Sequence, residues 1–355
     1  MFNLKPEAFG LDISDFSVRF AKLKKVKNNI AQLVSFGEEK IPKGIVEGGE
    51  IKSKSELCRI IKKAISCPNG QKLKINRVIS SLPEEKSYID VIQLPILSLK
   101  ETENAIRHEA ENHIPLPIDE VYLGWEKVES SFNQNKYQEV LIAAAPKNLV
   151  NDYISVLKGA GLEIFGLEIE CLAIIRSLAG KREMPGHFLV IDFGGSRTTF
   201  IFYSGQSVRF TATIAFSSQY LSEGVSRKLN IALKDGEKLK IKNGLNGDKK
   251  IRDILNPELE KLAEEIKNCF EYYCTHEDKN HLLVSGAKPE KIFLCGEAAN
   301  LKGLVDFLGK QLKLEVGLAD SFSNISREPA KGVPKLNFNK SLAYTTALGL
   351  ALRGI

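Results

Sequence analysis

At 355 residues the chain is too long for one ordinary hydrophobic core, so two large lobes or several subdomains are expected. Hydrophobic residues at 43% and charged residues at 26% give the balance of a folded soluble protein, which excludes disordered and fibrous classes. The net charge of +6 sits in lysine-rich stretches, Lys22 to Lys27 and Lys234 to Lys250, with no RNA-binding signature or zinc spacing beside them, so they read as solvated faces and no nucleic-acid partner is expected.

The cysteines Cys58, Cys67, Cys171, Cys269, Cys274 and Cys295 are scattered with no CxxC pair, which suits a reducing, cytoplasmic compartment. No run approaches the roughly 20 apolar residues that a bilayer span needs. The opening MFNLKPEAFG lacks a signal-peptide core. Membrane association is therefore expected only at the periphery, through partners.

In chain order, residues 9–13 and 17–24 read as strands around a tight polar turn, and 30–40 as a third. Ser53 and Glu56 form a capping box ahead of a helix through Ala64, with Leu57, Ile60 and Ile61 on one face. Residues 76–95 read as strand, proline turn, strand. Ser98 with Glu101 is a second capping box, opening a helix that ends before Pro115 and Pro117. Strands follow at about 119–128 and 137–145. The order strand, helix, strand, strand marks 75–146 as an inserted subdomain.

Pro146 starts a helix that Gly159 and Gly161 end. A strand at 163–168 and a helix at 170–180 follow, and the Pro185-Gly186 turn is the expected boundary. From 187 the chain restarts with strand, turn, strand. A helix near 218–229, a charged region, a long helix from Pro257 to Tyr273, a buried strand at 291–295, a helix at 300–313 and the apolar closing helix SLAYTTALGLALR complete the pattern. The expected division is a first-lobe core at 1–74, completed by 147–186 and 341–355, with the insert at 75–146. The second-lobe core is 187–216, completed by 274–340, and 217–273 is its smaller subdomain.

Two segments share one pattern about half a chain apart. Leu11-Asp12-Ile13-Ser14-Asp15 and Ile191-Asp192-Phe193-Gly194-Gly195 each set an aspartate among apolar strand residues and follow it with small or polar turn residues. A strand presents its terminal carboxylate rigidly, and small turn residues let backbone N–H groups approach phosphate oxygens. Mg²⁺ takes one or two carboxylates, usually through its own waters, so Asp12 and Asp192 are the candidate metal and catalytic aspartates for a bound ATP. Ser14, Asp15, Phe16 and Ser17 form the first candidate phosphate turn, and Gly194, Gly195, Ser196, Arg197 and Thr198 the second.

From about residue 9 onward the chain resembles the actin, sugar kinase and heat-shock chaperone ATPase superfamily. That resemblance implies an α/β, actin-like ATPase fold of duplicated ribonuclease H-like lobes. It places Gly296, Glu297 and Ala298 in the adenosine turn and Glu237 and Lys240 against the ribose and base. Glu170, opening CLAIIRSL, stands where an acidic or amide residue orients the attacking water, though a first-turn carboxylate also simply suits a helix dipole.

A finer resemblance is to the PilM family of type IV pilus assembly, relatives of the cell-division protein FtsA. It is carried by GLDISDFSVRFAKLKK, HEAENHIPLPIDEVYLGW, VLIAAAPKNLVNDYISVLKGAGLEIFGLEIECLAIIRSL and AYTTALGLALRG. It implies a groove between the insert and the first core that receives the cytoplasmic tail of PilN, an inner-membrane protein, with other pilus proteins as further partners. It also implies at most slow ATP turnover. Asp15, Ser217-Ser218 and Cys295-Gly296-Glu297-Ala298 depart from the glycine-rich pattern of the family and predict a weaker grip on nucleotide. The alternatives are an FtsA-like division protein, a type II secretion relative, a small-molecule kinase, and a scaffold that has lost its nucleotide. The first two lack their expected membrane segment here, and no spare Asp or His supplies the kinase's base.

Overall fold

The computed structural model describes residues 7–26, 30–128, 137–179, 186–276 and 289–355. Pro185 of the expected boundary, Lys27 and most of the opening segment lie outside these residues. The chain divides into two units, Met1–Lys127 with Val140–Met184 and Asp320–Ile355, and Val128–Glu139 with Pro185–Ala319.

The first unit begins with β1 (Phe9–Ile13), β2 (Ser17–Lys25) and β3 (Ala31–Lys40), an antiparallel meander in which Asp12 sits opposite Arg19. A short ribbon, β4 (Val46–Glu47) and β5 (Glu50–Ile51), leads to α1 (Lys54–Ser66), the two-residue β6 (Asn69–Gly70) and β7 (Arg77–Leu82). Next come β8 (Tyr88–Pro95), α2 (Leu99–His113), β9 (Val121–Val128) and β10 (Tyr137–Pro146). α3 (Lys147–Gly159), β11 (Glu163–Ile169) and α4 (Glu170–Leu178) follow. The main sheet runs β11-β7-β1-β2-β3, with β7 parallel to both β1 and β11.

All five residues of β1 are buried, as expected of a strand covered on both faces. On one side Phe9, Leu11 and Phe20 pack with Leu57, Ile61, Tyr153 and Leu157 of α1 and α3. The insert has its own sheet, ordered β8-β10-β9, closed over by α2 through Ile106 and Ala110. β7, expected as part of the insert, pairs instead between β1 and β11, so the inserted sheet starts at Tyr88. Its runs of buried Val78, Ile79 and Leu82 suit a central parallel strand.

The second unit repeats the plan. β12 (Phe188–Phe193), β13 (Thr198–Ser204) and β14 (Ser207–Ile214) form the meander, followed by α5 (Ser218–Leu229), α6 (Leu233–Asn243) and α7 (Lys249–His276). β15 (Lys291–Cys295), α8 (Leu304–Leu312) and β16 (Glu315–Leu318) complete a sheet ordered β14-β13-β12-β15-β16. α7 starts eight residues before the expected Pro257, which lies inside it. Asp248 explains the earlier start: its side chain accepts from Lys250 N–H at 2.7 Å and its carbonyl from Arg252 N–H.

The chain then returns to the first unit. β17 (Ile325–Ser326) adds beside β3, so residues from 320 onward leave the second lobe to which they were assigned from sequence. α9 (Phe338–Ser341) and α10 (Thr345–Arg353) follow. Tyr344, Ala347 and Leu348 cover the second face of the main sheet through Ala21, Leu23 and Phe36.

Candidate functional site

In the first unit the parallel trio β1, β7 and β11 brings its carboxyl ends to one sheet edge, where ligands of open α/β sheets bind. Asp12 lies there, 7% exposed, and its Oδ1 accepts the Ser81 hydroxyl at 3.0 Å. Ser81 in turn accepts Ile13 N–H at 3.1 Å, which fixes the end of β1 against β7. One strand further, Glu170 opens α4, and its Oε2 accepts the backbone N–H of Glu84 at 3.3 Å. Glu84 and Glu170 are both buried, and with Glu168 they help burial push the Cys171 thiol well above its usual range.

The turn after Asp12 is closed by its serines: Ser14 N–H donates to Ser17 O at 2.9 Å and the Ser14 hydroxyl lies 3.1 Å from Ser17 Oγ. Phe16 anchors the turn to β3's end through Ile41 N–H. Asp15 does not merely add charge to this turn. Its two oxygens accept Gly48 N–H at 3.2 Å and Gly49 N–H at 3.0 Å, so the carboxylate holds the β4–β5 ribbon.

In the second unit Asp192 occupies the matching place on β12, opposite Thr199 of β13 and beside Cys295 of the parallel β15. The Cys295 thiol lies 3.8 Å from Asp192 Oδ1, so the neighbouring strand again supplies a donor to the aspartate, here S–H where the first unit has O–H. Burial and Asp192 together push that thiol well above its usual range. Gly296 follows with φ +90, and a Cβ there would fall 2.3 Å from Asp192 Oδ1. Glycine is required at this point, and it leaves a cradle open beside the carboxylate. Ala298 N–H donates to Phe193 O at 2.9 Å, joining the expected adenosine turn to the aspartate turn.

Gly194 N–H closes its turn on Arg197 O at 3.0 Å, and the carbonyls of Gly194 and Gly195 accept Ser218 and Gln219 N–H from the start of α5. Ser196 lies half-buried in the turn. Thr198 is fully buried with its hydroxyl donated to Phe216 O at 2.7 Å, so its side chain shapes the turn rather than facing a ligand.

The two serines that replace glycines have distinct tasks. Ser217 caps α5 by accepting Tyr220 N–H at 3.1 Å. Ser218 takes the buried Lys240 ammonium on its carbonyl at 2.7 Å and on its hydroxyl at 2.6 Å. Burial drives Lys240 down to about 8, against the opposing pull of Glu237 and Glu297. Lys240, Glu237 and Glu297, distant in sequence, thus share one electrostatic neighbourhood.

Sequence reasoning missed Ser81, Ser218 and the donor role of Cys295. Their signal is topological: each lies on a different element from the group it contacts, at a place only the strand order or helix packing reveals.

Among the described residues no group of three or more His, Cys, Asp or Glu side chains is placed to hold a metal ion. A magnesium ion would therefore depend on phosphate and water oxygens as well as on Asp12 or Asp192, which suits its preference for retained waters. The cradle at Gly296 and the glycine-containing turn beside Asp192 fit such a phosphate-bound ion.

A groove of about 840 Å³ lies within the first unit, bounded by β9, β10, α3, β11 and α4. Its lining is mostly apolar, including Leu82, Tyr122, Trp125, Leu141 and Leu172, with Arg176, Arg353 and the buried Glu168 at one side. Arg176 Nη1 reaches Glu168 Oε2 at 2.7 Å. A second recess near Glu50 and Lys147 is rimmed by ion pairs, Lys86 with Glu50 at 2.9 Å and Lys54 with Asp152.

A repeated strand meander with an aspartate at the end of its first strand, one copy in each unit, and an inserted three-stranded sheet define an actin-like ATPase fold. Residues 10–355 match the model of the family described as Type IV pilus assembly protein PilM, and the chain belongs to that family. Its fold is similar to that solved in the PilM-PilN type IV pilus biogenesis complex, with TM-score 0.80 and 25% identity over 99% of each chain. It is also similar to MreB5 of Spiroplasma citri bound to ADP, with TM-score 0.54 and 13% identity over 96% of this chain and 94% of that one.

Among curated proteins, cell division protein FtsA of Streptococcus pneumoniae is 24% identical over 196 residues, half of this chain and 42% of that protein. The chain spans well under two thirds of the length of the FtsA relatives it matches. Among the described residues no helix is long and apolar enough to cross a membrane.

Proposed function

We propose that the chain is a nucleotide-binding scaffold of type IV pilus assembly that binds ATP with Mg²⁺ through its two aspartate turns and docks the cytoplasmic tail of a PilN-type inner-membrane protein. The repeated aspartate, each steadied by a donor from the neighbouring parallel strand, carries the nucleotide reading. MreB5 of the same fold has been solved with ADP, and family membership with the likeness to a PilM-PilN complex supports the partner.

On this reading Asp12 in the first unit and Asp192 in the second are the carboxylates that would hold magnesium, and the ion would supply charge neutralisation at the phosphates. The turn closed by Gly194 N–H on Arg197 O leaves the Gly195 backbone to approach the phosphates, and Lys240, Glu237 and the Gly296–Ala298 turn bound the nucleoside. Glu170 orients a water, and its fixation by Glu84 N–H suits a slow, gated turnover at most. The 840 Å³ groove takes the tail, because it is roomier than the second recess and offers more apolar wall, Leu82, Leu141 and Leu172 among it. The protein is then held at the inner face of the cytoplasmic membrane by its partner.

The test is thermal unfolding with ATP and Mg²⁺. Ligand at a hundredfold excess over Kd stabilises by about 2.7 kcal/mol. Asp192→Ala is expected to abolish the shift without unfolding the protein. No shift at millimolar ATP, alone or with tail peptide, removes the nucleotide claim and leaves a scaffold that works without nucleotide.

A further inference from the structure

The lysine-rich stretch of the second unit has a definite shape once folded. Residues 227–250 hold eight basic side chains against three acidic ones, a surplus of five in a chain whose net charge is +6. The fold gathers this charge on α6 and on the adjoining ends of α5 and α7.

The inner face of α6 is narrow. Gly236 lets the helix come close to α5, where a Cβ would fall 2.9 Å from Ser222 O, and Lys240 reaches Ser218. At about 3.6 residues per turn the opposite face presents Lys234, Lys238, Ile241 and Lys242 together, all exposed, with Leu233 at its border. Of the two acids on α6, Asp235 pairs with Lys238 at 3.1 Å and the half-buried Glu237 acts on Lys240. Lys302 joins the C-terminal end, its ammonium donating to Lys242 O at 2.6 Å, and the exposed Lys249 and Lys250 follow at the start of α7.

Ile241 is the informative side chain of this face. It is 60% exposed, and Leu233 is 38% exposed. A lone aliphatic residue on a surface is ordinary, but this one lies between Lys234 and Lys238 on the helix surface, so an apolar tip is ringed by cations. Helix propensity does not select isoleucine there over lysine or glutamate. A soluble polyanion gains from the lysines and nothing from the isoleucine. An anionic bilayer uses both, because ammonium groups meet lipid phosphates while an aliphatic side chain enters the acyl boundary. Single-stranded nucleic acid calls for stacking aromatics, and residues 227–250 contain none.

We infer that the outer face of α6 binds directly to an anionic phospholipid surface, with Ile241 and Leu233 entering the interface and Lys234, Lys238 and Lys242 on the headgroup phosphates. This goes beyond the tail-docking reading and stands without it. A patch of this size gives reversible attachment, and stable anchoring takes two signals. The face is then a second membrane signal beside the tail of the membrane partner.

The experiment uses the full chain with no tail peptide. Co-sedimentation is measured with vesicles of phosphatidylglycerol and phosphatidylcholine in equal parts, and of phosphatidylcholine alone, in low and in high salt. Binding is expected on the anionic vesicles in low salt, and it is expected to be lost in high salt and on neutral vesicles. A lysine at an anionic surface contributes about fivefold, so Lys234→Gln, Lys238→Gln and Lys242→Gln combined are expected to lower vesicle affinity at least tenfold with the melting temperature unchanged. Ile241→Ser keeps every charge and is expected to weaken binding severalfold. Ile241→Trp is expected to strengthen it, because tryptophan favours the membrane interface, and a gain is a result that misfolding does not produce. Equal binding to neutral and anionic vesicles, or an affinity that the lysine variant leaves unchanged, overturns the proposal. It falls equally if no vesicle is bound, including the case in which an acidic peptide or a single-stranded oligonucleotide binds through the same lysines.

Discussion

Lys240 is the residue whose setting departs furthest from what its sequence neighbourhood announces. A lysine-rich run reads as a solvated face, yet this ammonium is 3% exposed and bonded to Ser218, with burial lowering it to about 8. Because the folded protein holds the proton less tightly than the unfolded chain, folding stability rises with pH between about 8 and the free lysine value of 10.5. Lys240→Met removes this dependence. The stability difference between wild type and variant, from urea unfolding at pH 7.5 and pH 10, is expected to move in favour of wild type by on the order of 2 kcal/mol. A difference that stays flat across that range contradicts the assignment. Asp12 and Asp192 stand out in sequence because a strand, a carboxylate and a tight turn are local patterns, whereas Gly296 is marked only by the family resemblance. The donor roles of Ser81 and Cys295 are not legible there, because each donates from a strand that only the fold brings alongside.

At the scale of elements, most strands and helices follow from periodicity and caps, and the departures have local causes. The Ser98–Glu101 box forms, with Ser98 N–H on Glu101 Oε2 at 3.0 Å, whereas the Ser53–Glu56 box does not. Ser53 N–H is already given to Ile45 O, and Glu56 pairs with Arg59. The β4–β5 ribbon has no sequence signature beyond its glycines, and Asp15 is what holds it. Asp15→Ala strips the acceptor from two backbone N–H groups and is expected to cost about 1–3 kcal/mol in chemical denaturation. Asp15→Asn, which keeps one good acceptor, is expected to lose less, and equal losses would mean the ribbon does not depend on this carboxylate.

In the second unit Arg209 pairs with Glu139 at 2.9 Å, the two side chains 2% and 9% exposed. Arg209 also donates to the carbonyls of Ser204 and Gly205. Glu139→Ala leaves a buried guanidinium without its counter-charge, and a loss of about 3–5 kcal/mol is expected. Pairing that change with Arg209→Met should recover most of it. A double variant as unstable as the single one would show that packing, rather than charge, is what the pair supplies.

At the scale of the whole molecule, the proposed nucleotide and tail sites meet in the same strands of the first unit. Ser81 of β7 holds Asp12, and its neighbour Leu82 lines the groove; Glu168 and Ile169 of β11 line the groove, and Glu170 follows at the head of α4. A shift of either strand end therefore reaches both sites through one peptide unit, which gives each ligand a differential contact with the same element. Coupling of this kind is reciprocal: whatever factor ATP adds to tail affinity, the tail must add to ATP affinity. With saturating ATP and Mg²⁺, tail affinity is expected to change at least fivefold, and ATP affinity by the same factor with saturating tail, both read by titration calorimetry. Ser81→Ala, which frees β7 from Asp12 without touching the groove lining, is expected to leave tail affinity in the absence of nucleotide unchanged and to bring the factor close to one. Identical tail affinities with and without nucleotide in the wild type would mean that the two sites, though built on common strands, work independently.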